Sequence, residues 1–171
     1  LRLGAQNNAL LDELYDTFAG HCVVMDCAYS IESDAVPVKG QCVIEFQGTS
    51  YKMKGGGLDI FCDGESVWLM DADAMEVVIE PVSDDSYSYM SNPALLFRDM
   101  DKVFDVKGAS ANGTGMRYRL TARKPCGVRS SVLDIDKDAV LKKAEFTMDN
   151  DCVIRIDVRS VKALPQQENS S

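Results

Sequence analysis

Apolar and polar residues alternate with a period of two along most of this chain, and no other feature constrains its fold as strongly. The clearest stretch is residues 38–47, where every second residue is apolar or small: Val38, Gly40, Cys42, Ile44 and Phe46. Because successive side chains of a strand point to opposite faces, this pattern predicts a strand with one dry and one wet face. Further strands are predicted at 21–31, 51–54, 58–62, 66–71, 75–80, 116–123, 131–136, 139–149 and 152–162.

Two segments depart from that period. Residues 7–19 carry apolar side chains at three- and four-residue steps, which predicts a helix with Asn7 or Asn8 as its cap. Asn92-Pro93 indicates the start of a second, short helix reaching Phe104, because proline is favoured at the first helical position. With hairpin-spaced turns between the strands, the expected fold is mainly β (α+β), with ten or eleven antiparallel strands curled into a barrel or half-barrel.

The length of 171 residues suits one domain, which we place at 1–163. The polar residues 164–171 are predicted to form a disordered tail, and the polar segment 83–91 is predicted to be an irregular loop. The chain begins at Leu1 without an initiator methionine, so either a targeting segment has been removed or the chain has been trimmed. The longest apolar runs are about four residues, far short of the ~18 that a membrane-spanning helix needs.

Composition excludes several functions. A net charge of -9 repels nucleic acid. The six cysteines contain no C-x-x-C pair, so we interpret them mainly as core residues and leave open whether an oxidising compartment pairs some of them. His21 is the one histidine and is interpreted as a surface or capping residue. No catalytic motif is present, so we expect neither an enzyme, nor a cofactor, nor a metal site.

Two charged groups have alternative interpretations. Asp134, Asp136 and Asp138 have the alternate spacing of a calcium loop, but without its central glycine and closing glutamate they are better interpreted as a solvated hairpin tip. A basic cluster, in which we expect either cross-strand ion pairs or a docking patch for an acidic partner, comprises Arg117, Arg119, Arg123, Lys124 and Arg129.

An ordered set of segments resembles a known family. The set runs from the strand G-Q-C-V-I-E-F-Q-G at Gly40, through I-F-C-D-G-E-S-V-W-L-M, to N-P-A-L-L-F; Y-R-L-T-A-R-K-P and L-D-I-D-K-D-A-V-L-K-K-A-E-F follow. Together they resemble the outer-membrane lipoprotein carrier family, LolA, in the branch found in the Bacteroides group. The resemblance extends from about Leu10 to Val161 and implies an unclosed barrel of about eleven strands with helices across its mouth as a lid.

The resemblance also implies a function. Members carry the acyl chains of lipoproteins through the periplasm of Gram-negative bacteria, from an inner-membrane release complex to an outer-membrane receptor, and we expect this chain to be a monomer that does the same. The alternative is a lipid- or lipoprotein-sensing module on the same scaffold, as in the envelope-stress regulator RseB. Family members use an Arg-Pro after the Gly-led strand to hold the lid closed, whereas this chain has Gly48-Thr49 there and no arginine.

Together, the pattern and the resemblance predict a lipid site. The dry-face residues expected to line it are Met25, Tyr29, Ile44, Phe46, Met53, Ile60, Tyr118, Leu120, Phe146 and Ile156. The lid residues expected to cover it are Leu11, Leu14, Phe18, Leu95, Leu96 and Phe97. The pattern alone favours an ordinary core beneath permanently packed helices, whereas the resemblance favours a cavity.

Overall fold

The computed structural model describes residues 8–82, 89 and 93–168, and within them one antiparallel sheet of eleven strands dominates. The first six strands are β1 (Cys22–Glu32), β2 (Val38–Gln47), β3 (Ser50–Gly55), β4 (Leu58–Cys62), β5 (Ser66–Asp71) and β6 (Glu76–Pro81). The other five are β7 (Phe104–Asn112), β8 (Gly115–Ala122), β9 (Val128–Ile135), β10 (Leu141–Met148) and β11 (Val153–Leu164). The predicted mainly-β, unclosed architecture is confirmed.

The strand order explains why a helix covers the sheet. The order is β6-β5-β4-β3-β2-β1-β11-β10-β9-β8-β7, so β6 and β7 are the two opposite edges although they follow each other in sequence. The chain must therefore cross from one edge of the sheet to the other between residues 82 and 104. Helix α2 (Pro93–Val103) lies on that crossing, beginning at Pro93 as predicted.

Helix α1 (Ala9–Gly20) precedes the sheet and buries the face predicted from its spacing, with Leu11, Leu14 and Phe18 inside. Asn8 occupies the N-cap position, but its side chain makes no capping hydrogen bond, so the predicted cap is wrong for that residue; Asn7 lies outside the described residues. At the other end the imidazole Nδ1 of His21 lies 3.2 Å from the Thr17 carbonyl oxygen, which confirms its interpretation as a capping residue.

Strand β7 was not predicted. Its alternation is confined to Phe104 and Val106, and residues 108–111 read Gly-Ala-Ser-Ala, whose small side chains give no contrast between faces. The sequence also extended helix α2 to Phe104, whereas the helix ends at Val103 and Phe104 opens the strand. Pairing with β8 supplies hydrogen-bond partners for the backbone of β7, and the local sequence of β7 does not indicate this pairing.

The end of the chain also differs from the prediction. Leu164 is the last residue of β11, not the first of a disordered tail. Gln167 then exchanges two hydrogen bonds with Gln47, its amide donating to the side-chain oxygen and its carbonyl accepting from Nε2, at 2.8 and 2.6 Å. These two bonds satisfy both backbone groups of Gln167 and join it to β2. Residues 169–171, and the predicted loop 83–91 apart from Tyr89, lie outside the described residues.

Candidate functional site

The face of the sheet that α1 and α2 cover, here called the inner face, carries the predicted cavity residues in aligned rows. One row crosses four strands through the partners Met25, Ile44, Met53 and Ile60. A second row crosses β8, β9, β10, β11 and β1 through Tyr118, Leu133, Ala144, Ile156 and Tyr29. The strand registers therefore assemble a continuous apolar surface from residues that are far apart in sequence.

Eight of the ten predicted cavity residues are buried, and Tyr29 and Met53 are half-buried. The prediction omitted other inner-face residues, such as Leu133 and Ile154, although the period-two alternation already marked both positions as inward. The strands that contain these two residues were predicted. The sequence did not show which inward positions of those strands lie beneath the helices. That depends on the path of the crossing between β6 and β7.

The two helices pack directly on this face. The rings of Phe18 and Phe46 meet edge to face at 5.1 Å between centroids, and those of Phe97 and Phe146 do so at 5.8 Å. Five of the six predicted lid residues are buried, and Leu95 is half-buried. The helices and the sheet therefore meet largely through apolar side chains, and hydrophobic burial, which is non-directional, stabilises this contact.

Three open cavities lined by described residues lie elsewhere, one of them of about 190 Å³ near Asn112 and Asp136. One of about 500 Å³ lies on the outer face of the sheet, where Lys52 and Phe61 line it together with Glu168. Another, of about 630 Å³, lies beside α1 near Tyr15 and Arg123. None of the three is lined by Leu96 or Phe97 of α2.

A polar cluster, here called the anchor cluster, fastens α2 to the sheet. The Arg98 guanidinium donates from Nε and Nη2 to the Asp99 carboxylate at 2.8 and 3.0 Å, and the Tyr89 hydroxyl donates to the same carboxylate at 2.7 Å. Nη1 of Arg98 donates at 3.0 Å to the carbonyl oxygen of Thr49, in the turn between β2 and β3. Asp99 is only 7% exposed.

The anchor cluster contains an arginine that holds α2, although this chain lacks the Arg-Pro with which family members hold the lid closed. The expectation, based on the segment Gly48-Thr49, was that no arginine was available to hold the helix. The structure places Arg98 of α2 against the Thr49 carbonyl instead, so the arginine comes from the helix and the acceptor from the sheet. Sequence reasoning missed it because the two residues are 49 positions apart and only the fold brings them together.

The charge state of the cluster follows from its bonds. Burial by itself would raise the pKa of the Asp99 carboxyl, but the hydrogen bonds from Arg98 and Tyr89 and the nearby positive charges outweigh that effect. The pKa of Asp99 consequently lies below its ordinary value. Asp99 is therefore ionised at neutral pH and keeps its bidentate pairing with Arg98.

Two buried hydroxyls in the described part of the chain have no hydrogen-bond partner, those of Tyr15 and Ser131. Ser131 is 2% exposed and lies on β9 between Leu120 and Phe146, both predicted cavity residues. Burying a hydroxyl without a hydrogen-bond partner costs free energy. Ser131 therefore places an unsatisfied polar group on an otherwise apolar surface.

The remaining chemistry-bearing residues have structural surroundings. All six cysteines are free thiols, and no group of three or more potential metal ligands occurs among the described residues. Asp136 accepts hydrogen bonds from the backbone of Asp138 and Val140, as a turn residue does. Asp134 corrects the prediction of a wholly solvated tip, because it is 8% exposed and pairs with Arg117 at 2.7 Å.

The basic cluster resolves partly into cross-strand pairs. Arg117 pairs with Asp134 of β9, and Arg123 pairs with Asp105 of β7. Arg129 pairs with Asp151, in the turn before β11. For these three residues the interpretation as ion pairs is confirmed.

The fold and its covered face define a class: an unclosed antiparallel half-barrel whose apolar inner face is sheltered by helices. The family model described as "Outer membrane lipoprotein carrier protein LolA" matches residues 56–170. The chain belongs to this LolA family. None of the helices that the structure describes has the length and apolar character to span a membrane.

Relatives agree with that assignment. The chain is 37% identical over 65 residues to an outer-membrane lipoprotein carrier protein of Alcanivorax borkumensis, a match that covers 36% of this chain and 30% of the relative. A LolA superfamily protein from Nitrosomonas europaea has a similar fold, with a TM-score of 0.52, 12% identity and 94% of each chain covered. A DUF1329 family protein from Desulfovibrio piger gives a TM-score of 0.50 at 10% identity, covering 93% of this chain and 92% of its own.

Proposed function

We propose that this protein is a periplasmic, non-enzymatic carrier that binds the acyl chains of lipoproteins between the inner face of its sheet and helices α1 and α2. The observation that carries the proposal is the composition of that interface. Aligned apolar rows on the sheet meet apolar helix side chains, and the anchor cluster fastens α2 to the turn after β2. Family membership supports lipoproteins as the cargo.

The free energy of apolar burial favours replacing contacts between α2 and the sheet with contacts to an acyl chain. Each buried CH₂ group of an acyl chain contributes about 0.8 kcal/mol, so a host must expose comparable apolar surface to compete with a membrane. The inner face offers that surface only when α2 moves away, because Leu96 and Phe97 now cover it. In this proposal α2 moves outward and the acyl chain enters between its side chains, Leu96 and Phe97 among them, and the inner face.

Ser131 and the partners complete the proposal. The unpaired Ser131 hydroxyl would donate to an ester or amide carbonyl oxygen of the cargo, which satisfies it only in the loaded state. An inner-membrane release complex would supply the lipoprotein, and an outer-membrane receptor would accept it.

Binding of a fluorophore-labelled fatty acid tests the proposal. We expect the wild-type chain to bind one probe molecule, and Leu96→Asp to weaken binding at least tenfold, because a carboxylate beside the acyl chain would lose its hydration. Val77→Asp makes a similar change on β6 at a residue that is 61% exposed, and should leave the affinity unchanged.

A competition experiment on the wild-type chain tests the proposal even if Leu96→Asp unfolds the protein. A triacylated lipopeptide should displace the probe from the wild-type chain, whereas the same peptide without acyl chains should not. If the wild-type chain binds no probe, or if the unacylated peptide competes equally well, the helices cover an ordinary core and the carrier function is excluded.

The anchor cluster gives a separate prediction. Arg98→Ala removes the bond to the Thr49 carbonyl and leaves Asp99 buried with Tyr89 as its remaining hydrogen-bond donor within the cluster. Because Arg98 keeps about a quarter of its side chain exposed, we expect a cost of about 2 kcal/mol rather than the larger penalty of a fully buried pair. This corresponds to about 30-fold faster hydrogen exchange at the amides of α2.

Arg129→Ala is the matched control, since it breaks an ion pair in which both partners are about half exposed or more. Such a pair contributes ~0 to 1 kcal/mol, so exchange in α2 should stay within a few-fold of the wild-type rate. Equal acceleration in the two variants would mean that Arg98 does not hold the helix specifically.

A further inference from the structure

Two of the free cysteines face each other in the middle of the sheet. Cys27 of β1 and Cys42 of β2 are direct antiparallel partners, two residues along each strand from the pair Met25 and Ile44 on the same face. Cys27 is fully buried and Cys42 is 7% exposed. Two thiols therefore share one cross-strand position on the inner face.

The spacing of such partners suits a covalent bond. Directly opposite residues of an antiparallel pair have Cα atoms about 4.5 to 5.5 Å apart, and a disulfide accepts Cα separations of about 4.4 to 6.8 Å. Both side chains lie on the same face, because Cys27 and Cys42 are direct partners in the strand register and both are buried. Bond formation requires side-chain rotation and no change of strand register.

The two thiols are not equivalent. The hydrogen bond from the Cys27 thiol lowers the pKa of Cys42, and the same bond, together with burial, raises the pKa of Cys27. Cys42 is also the more exposed of the two, and its β3 neighbour is Gly55, where an added Cβ would lie 2.9 Å from the Cys42 Cα. The missing side chain at Gly55 lets its backbone lie close against the backbone of Cys42.

We propose that Cys27 and Cys42 form a dithiol site that is oxidised to a cross-strand disulfide by exchange with a protein or small-molecule disulfide, with Cys42 as the attacking thiolate and Cys27 as the resolving thiol. Neither the likeness to the carrier family nor the acyl-chain site requires this reaction. Its occurrence in the cell rests on the proposed periplasmic location, where disulfides persist.

The reaction balances in two exchanges. The Cys42 thiolate attacks one sulfur of the donor disulfide, which forms a mixed disulfide and releases the first donor thiolate. The Cys27 thiol then gives its proton to solvent or to that leaving thiolate and attacks the Cys42 sulfur, which releases the second donor sulfur. The pair loses two electrons and two protons in total, and the donor disulfide is reduced to two thiols.

The bond would fasten strands β1 and β2 at the wall of the proposed acyl-chain site. Tyr29 lies two residues beyond Cys27, and its ring packs over Gly40, where a Cβ would lie 2.7 Å from the Tyr29 Cζ. A covalent link beside this contact fixes the row through Met25 and Ile44 against sliding. Chain entropy predicts that closing the 27–42 loop stabilises the fold, because the unfolded chain loses freedom.

Oxidised glutathione is the probe for this proposal, applied to the full chain with Cys152→Ser to remove the partly exposed thiol. We expect peptide mass spectrometry to find a Cys27–Cys42 cross-link, two fewer free thiols after denaturation, and a melting temperature that rises by several degrees and returns on reduction. Cross-links that join other cysteines to the same extent would overturn the proposal, as would the recovery of all thiols.

Single variants test the assigned order. Cys27→Ser should trap one glutathione on Cys42, because no resolving thiol remains, whereas Cys42→Ser should leave Cys27 unmodified. An adduct on Cys27 in the second variant, at the rate seen on Cys42 in the first, would overturn the assignment of the nucleophile. Cys126→Ser, which removes a buried thiol outside the pair, should form the Cys27–Cys42 disulfide at the unaltered rate.

Discussion

Gly115→Ala should destabilise the protein by about 3 kcal/mol or more, a cost in the range of severe steric substitutions. Gly115 opens β8, and a Cβ there would overlap the Ile135 carbonyl oxygen and lie 2.8 Å from the Cα of Asp136. Both obstacles are backbone atoms at the end of β9, so no side-chain rotation relieves the clash. The strands would have to separate where their pairing begins, at Met116 and Ile135.

Urea unfolding followed by circular dichroism measures this cost, and Gly20→Ala is the matched control. Gly20 ends helix α1, and an added Cβ there would have no heavy atom within 4 Å. Alanine also reduces the freedom of the unfolded chain, so this variant should be neutral or more stable by up to about 1 kcal/mol. A cost below about 1 kcal/mol for Gly115→Ala would show that β8 and β9 are less closely apposed than described.

Phe146→Ala should cost about 3 to 5 kcal/mol, as expected for deleting a fully buried aromatic side chain. The ring of Phe146 contacts Phe97 of α2 edge to face, and it stacks on Phe104 of β7 at 6.4 Å. One side chain thus joins β10, the covering helix and the edge strand. Its removal leaves a hollow that the surrounding backbone cannot fill by collapse.

Phe61→Ala tests whether that cost reflects position and not simply ring size. Phe61 is half-buried on the outer face of the sheet, beside Trp68 at 5.3 Å and beneath the Lys52 ammonium. We expect a loss of about 1 to 2 kcal/mol, because much of the ring already contacts water. Equal losses in the two variants would contradict the central role assigned to Phe146.

Sequence periodicity predicted most of the sheet because one face is dry along its length. The inward positions of β2, from Gly40 to Phe46, are the ones that its alternation marks. Strand β7 was not predicted because its small residues do not differ in polarity between the two faces. It forms a strand because it pairs with β8. Alternation locates faces, whereas the partner of a strand with weak alternation is decided by the rest of the sheet.

The candidate site was predicted as a list of residues but not as an arrangement. Period two places Met25 and Ile44 on inner faces, and only the register between β1 and β2 makes them neighbours. The same register brings Cys27 to Cys42. The Arg98 bond to the Thr49 carbonyl is still harder to foresee, since one partner is a backbone group that every residue possesses.

The pairing of the first strand with the last has a consequence for biosynthesis. Strands β1 to β6 form one wing from neighbours in sequence, strands β7 to β11 form the other, and the two wings join only where β1 meets β11. Each wing requires only short loops to close, whereas the seam requires nearly the whole polypeptide. A chain that emerges N-terminus first can therefore assemble its first wing, but its central seam must wait until β11 has emerged.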